Sequence, residues 1–380
     1  MSEPMSKIKK GYKQTEIGMI PEDWEVRKLN DAAISVASGK SKTENEIGDC
    51  PIYGSTGIIG YRKESDYSGD KILIARVGAN AGTINRVNGQ YCVSDNTLMV
   101  SYQSNIDIDF SYYQLVHFDL NKLVFGSGQP LITGGQVKKI LLAFPKSKPE
   151  QKAIAEVLSD TDALIEKLAQ LIVKKKNLKQ ATMQQLLTGK KRLAGFSGEW
   201  EVKRLGDIFR VTRGQVLSMT ETNQDRMGEY QYPVYSSQTK DNGLAGYYTN
   251  YLFEDCITWT TDGANAGDVK YRSGKFYCTN VCGVLESKEG YANGCIAAIF
   301  NSVSKKYVSY VGNPKLMNNV VSNIEVFIPP TIEEQKAIAT ILFDMDAEIE
   351  VLEKERAKYQ AIKQGMMQSL LTGQIRLLTH

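Results

Sequence analysis

Histidine is nearly absent: 380 residues hold only His117 and His380, so imidazole general-base chemistry or a His-rich metal centre has almost no material. Cysteine is sparse as well. Cys50, Cys92, Cys256, Cys278, Cys282 and Cys295 form no CxxC pair, and only Cys278 and Cys282 lie close together. That spacing predicts reduced, buried thiols rather than disulfides or a zinc site. No run approaches 18 apolar residues, which excludes a membrane-spanning helix. The first ten residues are polar and basic, without the apolar stretch of a secretory signal, so a cytoplasmic protein is expected. A strong charge of one sign is also missing. The net charge is +3, spread as +2 over residues 1–12, 0 over 13–148, +4 over 149–196, −1 over 197–330 and −2 over 331–380. Any nucleic-acid role must therefore rest on local groups or on partners that bring positive charge.

Catalytic motifs are missing too. Gly39, Lys40 and Ser41 end like a phosphate loop, but Ile34 stands where its first glycine belongs. The Gly126-Ser127-Gly128 string lacks the flanking strand and helix of a dinucleotide site and reads as a loop. Neither GxSxG nor HExxH occurs, and Asn313-Pro314-Lys315 does not make the Asn-Pro-Pro-Tyr string of base amino-methylation. Asp23, Glu25 and Arg27 resemble a nuclease's acidic cluster only faintly. The later copy of this phrase keeps Trp200 and Glu201 while changing the acids around them, which points to a structural role.

What is present is a duplication. Residues 23–29 read DWEVRKL and 199–205 read EWEVKRL; GANAG occurs at 78–82 and 263–267; GQYC at 89–92 parallels GKFYC at 274–278. EQKAIA recurs at 150–155 and 334–339, and LLTG at 186–189 and 370–373, with identical spacing between the two markers. Each half thus joins a globular stretch to a long helix. In the first helix apolar residues recur at Ile154, Val157, Leu158, Leu164, Ile165, Leu168, Leu171, Ile172, Leu178, Met183 and Leu186. In the second they recur at Ile338, Ile341, Leu342, Met345, Ile349, Leu352, Tyr359, Ile362, Met366 and Leu370. Intervals of three, four and seven predict one continuous apolar seam, starting near Pro149 or Pro329-Pro330 and stopping at Gly189 or Gly373. Lys174, Lys175, Lys176 and Lys179 of the first helix face Asp344, Asp346 and Glu348 of the second only if the two run antiparallel.

The predicted fold is α+β: two globular domains in tandem duplication, separated and joined by two long helices in an antiparallel coiled coil with pseudo-twofold symmetry. The boundaries are an N-terminal tail 1–12, a first globular domain 13–148, a long helix and linker 149–196, a second globular domain 197–330 and a second long helix 331–380. Strands are expected at 71–77, 91–100, 255–261 and 323–328, with residues 54–61 and 243–248 as loops.

The opening GYKQTEIGMIPEDWEV (11–26), PEQKAIA (149–155) with LLTGKKRL (186–193), and EEQKAIA (333–339) with LLTGQIRL (370–377) together resemble the specificity (S) subunits of type I restriction-modification systems. The resemblance covers nearly the whole chain. It implies double-stranded DNA as ligand, each domain reading half of a bipartite target, and a helix pair that sets the spacer. It also implies two modification (methyltransferase) subunits as partners, with restriction and motor subunits in the full complex. S-adenosylmethionine, ATP and Mg²⁺ would belong to those partners, leaving this chain without catalytic residue, cofactor or metal. On the residues alone two other classes stay open: a freestanding DNA methyltransferase or nuclease, and a coiled-coil scaffold with protein- or sugar-binding heads.

Base reading needs Arg, Lys, Asn or Gln on loops, and phosphate contacts need cations or backbone N–H groups. The candidates are Lys40, Lys42, Arg62, Lys63, Arg76, Asn80, Arg86 and Gln129 in the first domain. In the second they are Arg213, Gln215, Gln238, Lys240, Asn265, Lys270, Arg272 and Lys315. Tyr53, Tyr235 and Trp259 are candidates for stacking on a displaced base. The shared GANAG is read as shaping a loop rather than distinguishing two half-sites.

Overall fold

The computed structural model describes residues 9–126, 128–237 and 240–377. Two compact units emerge, Met1–Ala169 with Lys354–His380, and Gln170–Glu353. Each unit takes a globular head together with part of both long helices, Lys148–Leu186 and Ile332–Leu370.

In the first unit, strands Ala33–Ser38, Thr97–Tyr102, Lys71–Ala75 and Ile84–Val87 lie in that order in an antiparallel sheet. A second sheet follows the order Gly57–Arg62, Cys50–Gly54, Gln90–Val93, Tyr67–Ser68, with the two central strands parallel. After Lys71 the run ILIA is apolar throughout because both its faces are covered. Ile72 and Ile74 join Phe110 and Leu115 of helix Ile108–Phe118 in one core, and Leu73 joins Met99 and Val93 in another. Trp24 is fully buried, edge-on to Phe110 at 6.3 Å, and the first core takes in Ile154, Leu158 and Leu370 from the long helices and Leu371 just past the second.

The second unit has one six-stranded sheet in the order Arg210–Arg213, Cys282–Glu286, Phe253–Thr260, Val269–Cys278, Tyr232–Tyr235, Leu244–Tyr248. Its core gathers Trp259, Leu285, Ile296 and Phe300 with Leu186, Ile338 and Leu342 of the long helices. Val269–Cys278 is one ten-residue strand where the first unit has two, Ile84–Val87 and Gln90–Val93.

Several expectations change. Residues 54–61 are not a loop: Gly57–Arg62 is a strand paired with Cys50–Gly54 across a tight turn, and Leu244–Tyr248 pairs likewise with Tyr232–Tyr235. Alternating glycine with aromatic and aliphatic residues imitated loop composition while supplying edge strands. The run 91–100 divides into two strands that belong to different sheets, with a turn at residues 94–96 between them. The cysteines of GQYC and GKFYC are not equivalent. Tyr53 lies opposite Val93 and Tyr235 opposite Cys278 in the matching parallel ladders, so Cys92 corresponds to Tyr277 and Tyr91 to Phe276. The edge-on contacts Tyr53–Tyr91 at 6.1 Å and Tyr235–Phe276 at 5.7 Å repeat that register.

The long helices pair antiparallel in each unit. Lys363 Nζ sits 2.6 Å from Asp162 Oδ1 in the first. In the second, Lys175–Glu348, Lys176–Glu353 and Lys179–Asp346 lie at 2.6, 2.7 and 2.5 Å. Exposed pairs of this kind contribute about 0.2–1 kcal/mol each, so burial of Leu168, Ile172, Leu342 and Ile349 contributes more of the helix packing. The predicted seam does not hold as one surface. Val157, Leu164, Leu171 and Leu178, seven apart, remain 36–52% exposed, because a two-helix contact covers one side of a helix and this row lies on another.

Candidate nucleic-acid interface

The duplicated motifs meet on the backbone. In GANAG, Ala81 N donates to Gly78 O and Thr83 N to Asn80 O; Ala266 N to Gly263 O and Asp268 N to Asn265 O repeat the turn. Gly78 N donates to Pro130 O, and Gly263 N to Pro314 O, both at 2.9 Å, so each GANAG loop is tied to a second one. That second loop is closed by mutual bonds between Phe125 and Leu131, or between Ser309 and Lys315. Gly39 and Gly214 run against the opposite strand: an added Cβ would lie 2.1 Å from Val93 O, or 2.3 Å from Cys278 O. Their amides donate to Thr97 O and Cys282 O, which fixes Lys40 and Gln215 as equivalents beside the same loops.

The backbone is thus repeated and the side chains on it differ. Arg76 Nη1 donates to Ser38 Oγ at 3.2 Å, and Arg213 Nη2 donates to Thr261 Oγ1 at 3.4 Å. By strand register Ser38 corresponds to Arg213 and Arg76 to Thr261. Arginine and hydroxyl have exchanged strands between the two copies. Arg213 also contacts Asp262 at 3.2 Å, and Lys315 Nζ lies 3.9 Å from the same carboxylate.

The structure gathers Lys40, Arg76, Asn80 and Gln129 at the loop end of the first head, and Arg213, Gln215, Asn265 and Lys315 at that of the second. Asn80 and Gln129 are exposed; Asn265 donates through Nδ2 to Ser237 O. Lys42 is exposed next to Ser41, whose amide donates to Val93 O. Other candidates are committed elsewhere. Arg62 pairs with Asp66 at 3.0 Å and Glu46 at 3.9 Å, at the end of its strand away from the Gly54–Gly57 turn, with exposed Lys63 following. Arg86 pairs with Asp109 at 2.6 Å on helix Ile108–Phe118. Trp259 is 1% exposed, with Nε1 donating to Leu316 O, so it packs the core instead of stacking on a base. Tyr53 is half-buried against Tyr91. Gln238 lies outside the described residues, and Lys240 is placed only by its backbone, in the turn Lys240–Gly243.

Lys270 and Arg272 line a cavity of about 50 Å³ with Ser236, Asn242, Thr258 and Asp268. Arg272, 9% exposed, donates through Nε to Thr258 Oγ1 at 3.2 Å and lies 3.7 Å above the Tyr235 ring. Lys270 Nζ donates to Asn242 Oδ1 at 2.9 Å; burial, reinforced by the Arg272 charge, lowers its pKa. Sequence reading missed the polar partners Ser38, Thr258 and Asp262, which carry no local signal because their contacts span 14 to 49 residues.

A model of the type I restriction modification DNA specificity domain matches residues 21–175 and 197–361. The chain belongs to this type I specificity family. A relative named as a type I specificity subunit of Mycoplasma pneumoniae is 34% identical over 185 residues, 45% of this chain and 59% of the relative, so the match spans under two thirds of that protein. A specificity subunit from Methanocaldococcus jannaschii is 26% identical over a 420-residue alignment covering 97% of both chains. Among solved structures, the S subunit from M. genitalium superposes with a TM-score of 0.70 over 92% of this chain and 96% of that one, at 19% identity. The specificity fold is therefore shared, with two family domains in tandem and mixed helix and sheet in each head.

Proposed function

We propose that this chain is the DNA sequence-recognition subunit of a type I restriction-modification complex, each head reading one half of a bipartite target. The observation that carries the reading is the constant loop pair with exchanged side chains: Lys40 against Gln215, Leu131 against Lys315, and the strand exchange of Arg76–Ser38 against Thr261–Arg213. Two readers of different half-sites need that combination, since the backbone sets register while side chains choose bases.

The chain is non-catalytic in this reading. Methyl transfer and cleavage, with S-adenosylmethionine, ATP and Mg²⁺, belong to the modification and restriction subunits. The near-neutral heads agree with a clamp whose positive charge is largely the partners' own. The exposed row Val157, Leu164, Leu171 and Leu178 is the surface assigned to the modification subunits, because a heptad-spaced apolar row suits a partner helix. The two long helices set the spacer between half-sites.

The test is co-expression with a modification subunit encoded beside this chain, purification, and single-molecule sequencing of the host DNA for methylated bases. A complex of two modification subunits per chain, marking one bipartite motif, is the expected result. A complex that marks no motif, or no complex at all, would contradict it.

A further inference from the structure

Among the described residues no carboxylate lies beside the buried cation Arg272. Its guanidinium meets a hydroxyl and an aromatic ring, and the one acid among the described residues lining the same cavity, Asp268, is already paired with Lys305 at 2.6 Å. Lys270 adds a second positive charge to the cavity wall. A desolvated guanidinium beside a half-buried ammonium is costly unless an anion joins them. The fold does not require them: the corresponding positions in the first head are Asn85 and Val87, both neutral.

We propose that the cavity between Lys270 and Arg272 seats one backbone phosphate of the DNA, in the second head only. This rests on the recognition role proposed above. Size decides between a phosphate and a base. About 50 Å³ has room for about two waters, enough for two non-bridging phosphate oxygens and too little for a nucleobase. The chemistry agrees. The guanidinium, the ammonium and the Ser236 hydroxyl offer donors to an oxyanion, while the Thr258 hydroxyl donates to Lys270 O and holds Arg272, and cations around a phosphate position the duplex without reading it. The second head thus fixes its register on the duplex through an anchor the first head does not have.

The test uses the full chain assembled with its modification subunits, and duplexes carrying the methylated motif with one phosphate at a time replaced by a neutral methylphosphonate. At one position in or beside the second half-site, replacement should weaken wild-type binding about tenfold. The same replacement should cost the Lys270→Met complex little, and that complex should still methylate the same motif. The salt dependence of its binding should fall by about one phosphate, roughly 0.9 in the log–log slope. Arg272→Met should behave alike; if it fails to fold, Lys270→Met carries the test alone. Methylphosphonates that weaken wild type and Lys270→Met equally at every position would overturn the inference, as would a Lys270→Met complex that marks a different motif. Failure of the wild-type complex to prefer its motif on unmodified DNA would overturn the recognition role itself, and this inference with it.

Discussion

Arg376 forks onto Glu150 across 226 residues of sequence, with Nε 2.5 Å from Oε1 and Nη2 2.8 Å from Oε2. Arg192 does the same to Glu334 at 2.6 and 2.7 Å. In each unit, then, the arginine that follows the end of one long helix holds the glutamate that opens the other. Glu150 and Glu334 are 2% and 1% exposed, so loss of the arginine strands a buried carboxylate. Arg376→Met and Arg192→Met are each expected to cost about 3 kcal/mol in chemical denaturation, the lower end for a broken buried pair because the arginines are 20–25% exposed. A loss below about 1 kcal/mol would mean that these pairs do not hold the helix ends.

Arg376 also holds Asp23 through two bonds of 2.9 and 2.8 Å, and this hydrogen bonding lowers the Asp23 pKa from its ordinary 3.8. A carboxyl depressed in the folded state stabilises above its unfolded pKa, and that stability is lost as pH falls through the folded value. The first unit should therefore weaken on acidification below about pH 4, and Asp23→Asn should flatten that dependence in a pH series of thermal midpoints.

Gly189 and Gly373 end the helices with φ of +68° and +72° and press on the tryptophans of the DWEV and EWEV phrases. A Cβ on Gly373 would fall 2.5 Å from the Pro21 ring, whereas on Gly189 the nearest atom belongs to Trp200 at 3.3 Å. Both alanine variants bear the left-handed penalty of about 1–2 kcal/mol, and Gly373→Ala adds about 1–3 kcal/mol of overpacking. Gly373→Ala is expected to be the less stable of the two in thermal unfolding; equal midpoints would contradict the close packing at Pro21.

Much of this was legible in the sequence because the duplication preserved it. EQKAIA and LLTG kept their spacing since each copy makes the same contacts: Gln151 Nε2 to Pro145 O and Gln335 Nε2 to Pro329 O, both 2.9 Å. The antiparallel pairing was legible from charge alone. What failed had mostly non-local causes. Arg86 passed as a free cation because Asp109 is brought to it by helix packing, whereas the nearest partner of Arg62, Asp66, lies only four residues along the chain and was there to be read. The Arg76–Ser38 and Arg213–Thr261 exchange was invisible because aligning the copies pairs arginine with hydroxyl and shows two unrelated differences. Only the ladder register shows that guanidinium and hydroxyl remain partners.

That exchange makes a sharp expectation for specificity. Arg76→Ala should relax base preference in one half-site by about 1–3 kcal/mol at one position and leave the other half intact, and Arg213→Ala should do the reverse. Methylation sequencing of the two variant complexes checks both at once. A uniform weakening across sequences, without a change in motif, would move these arginines to the phosphate-contacting class.

The most direct measurement replaces residues 13–148 with the corresponding region of another type I specificity subunit and sequences the DNA methylated by the hybrid complex. One half of the motif should change to the donor's, while the other half stays as in the parent. A hybrid that marks the parental motif unaltered, or that changes both halves together, would contradict the assignment of one half-site to each head.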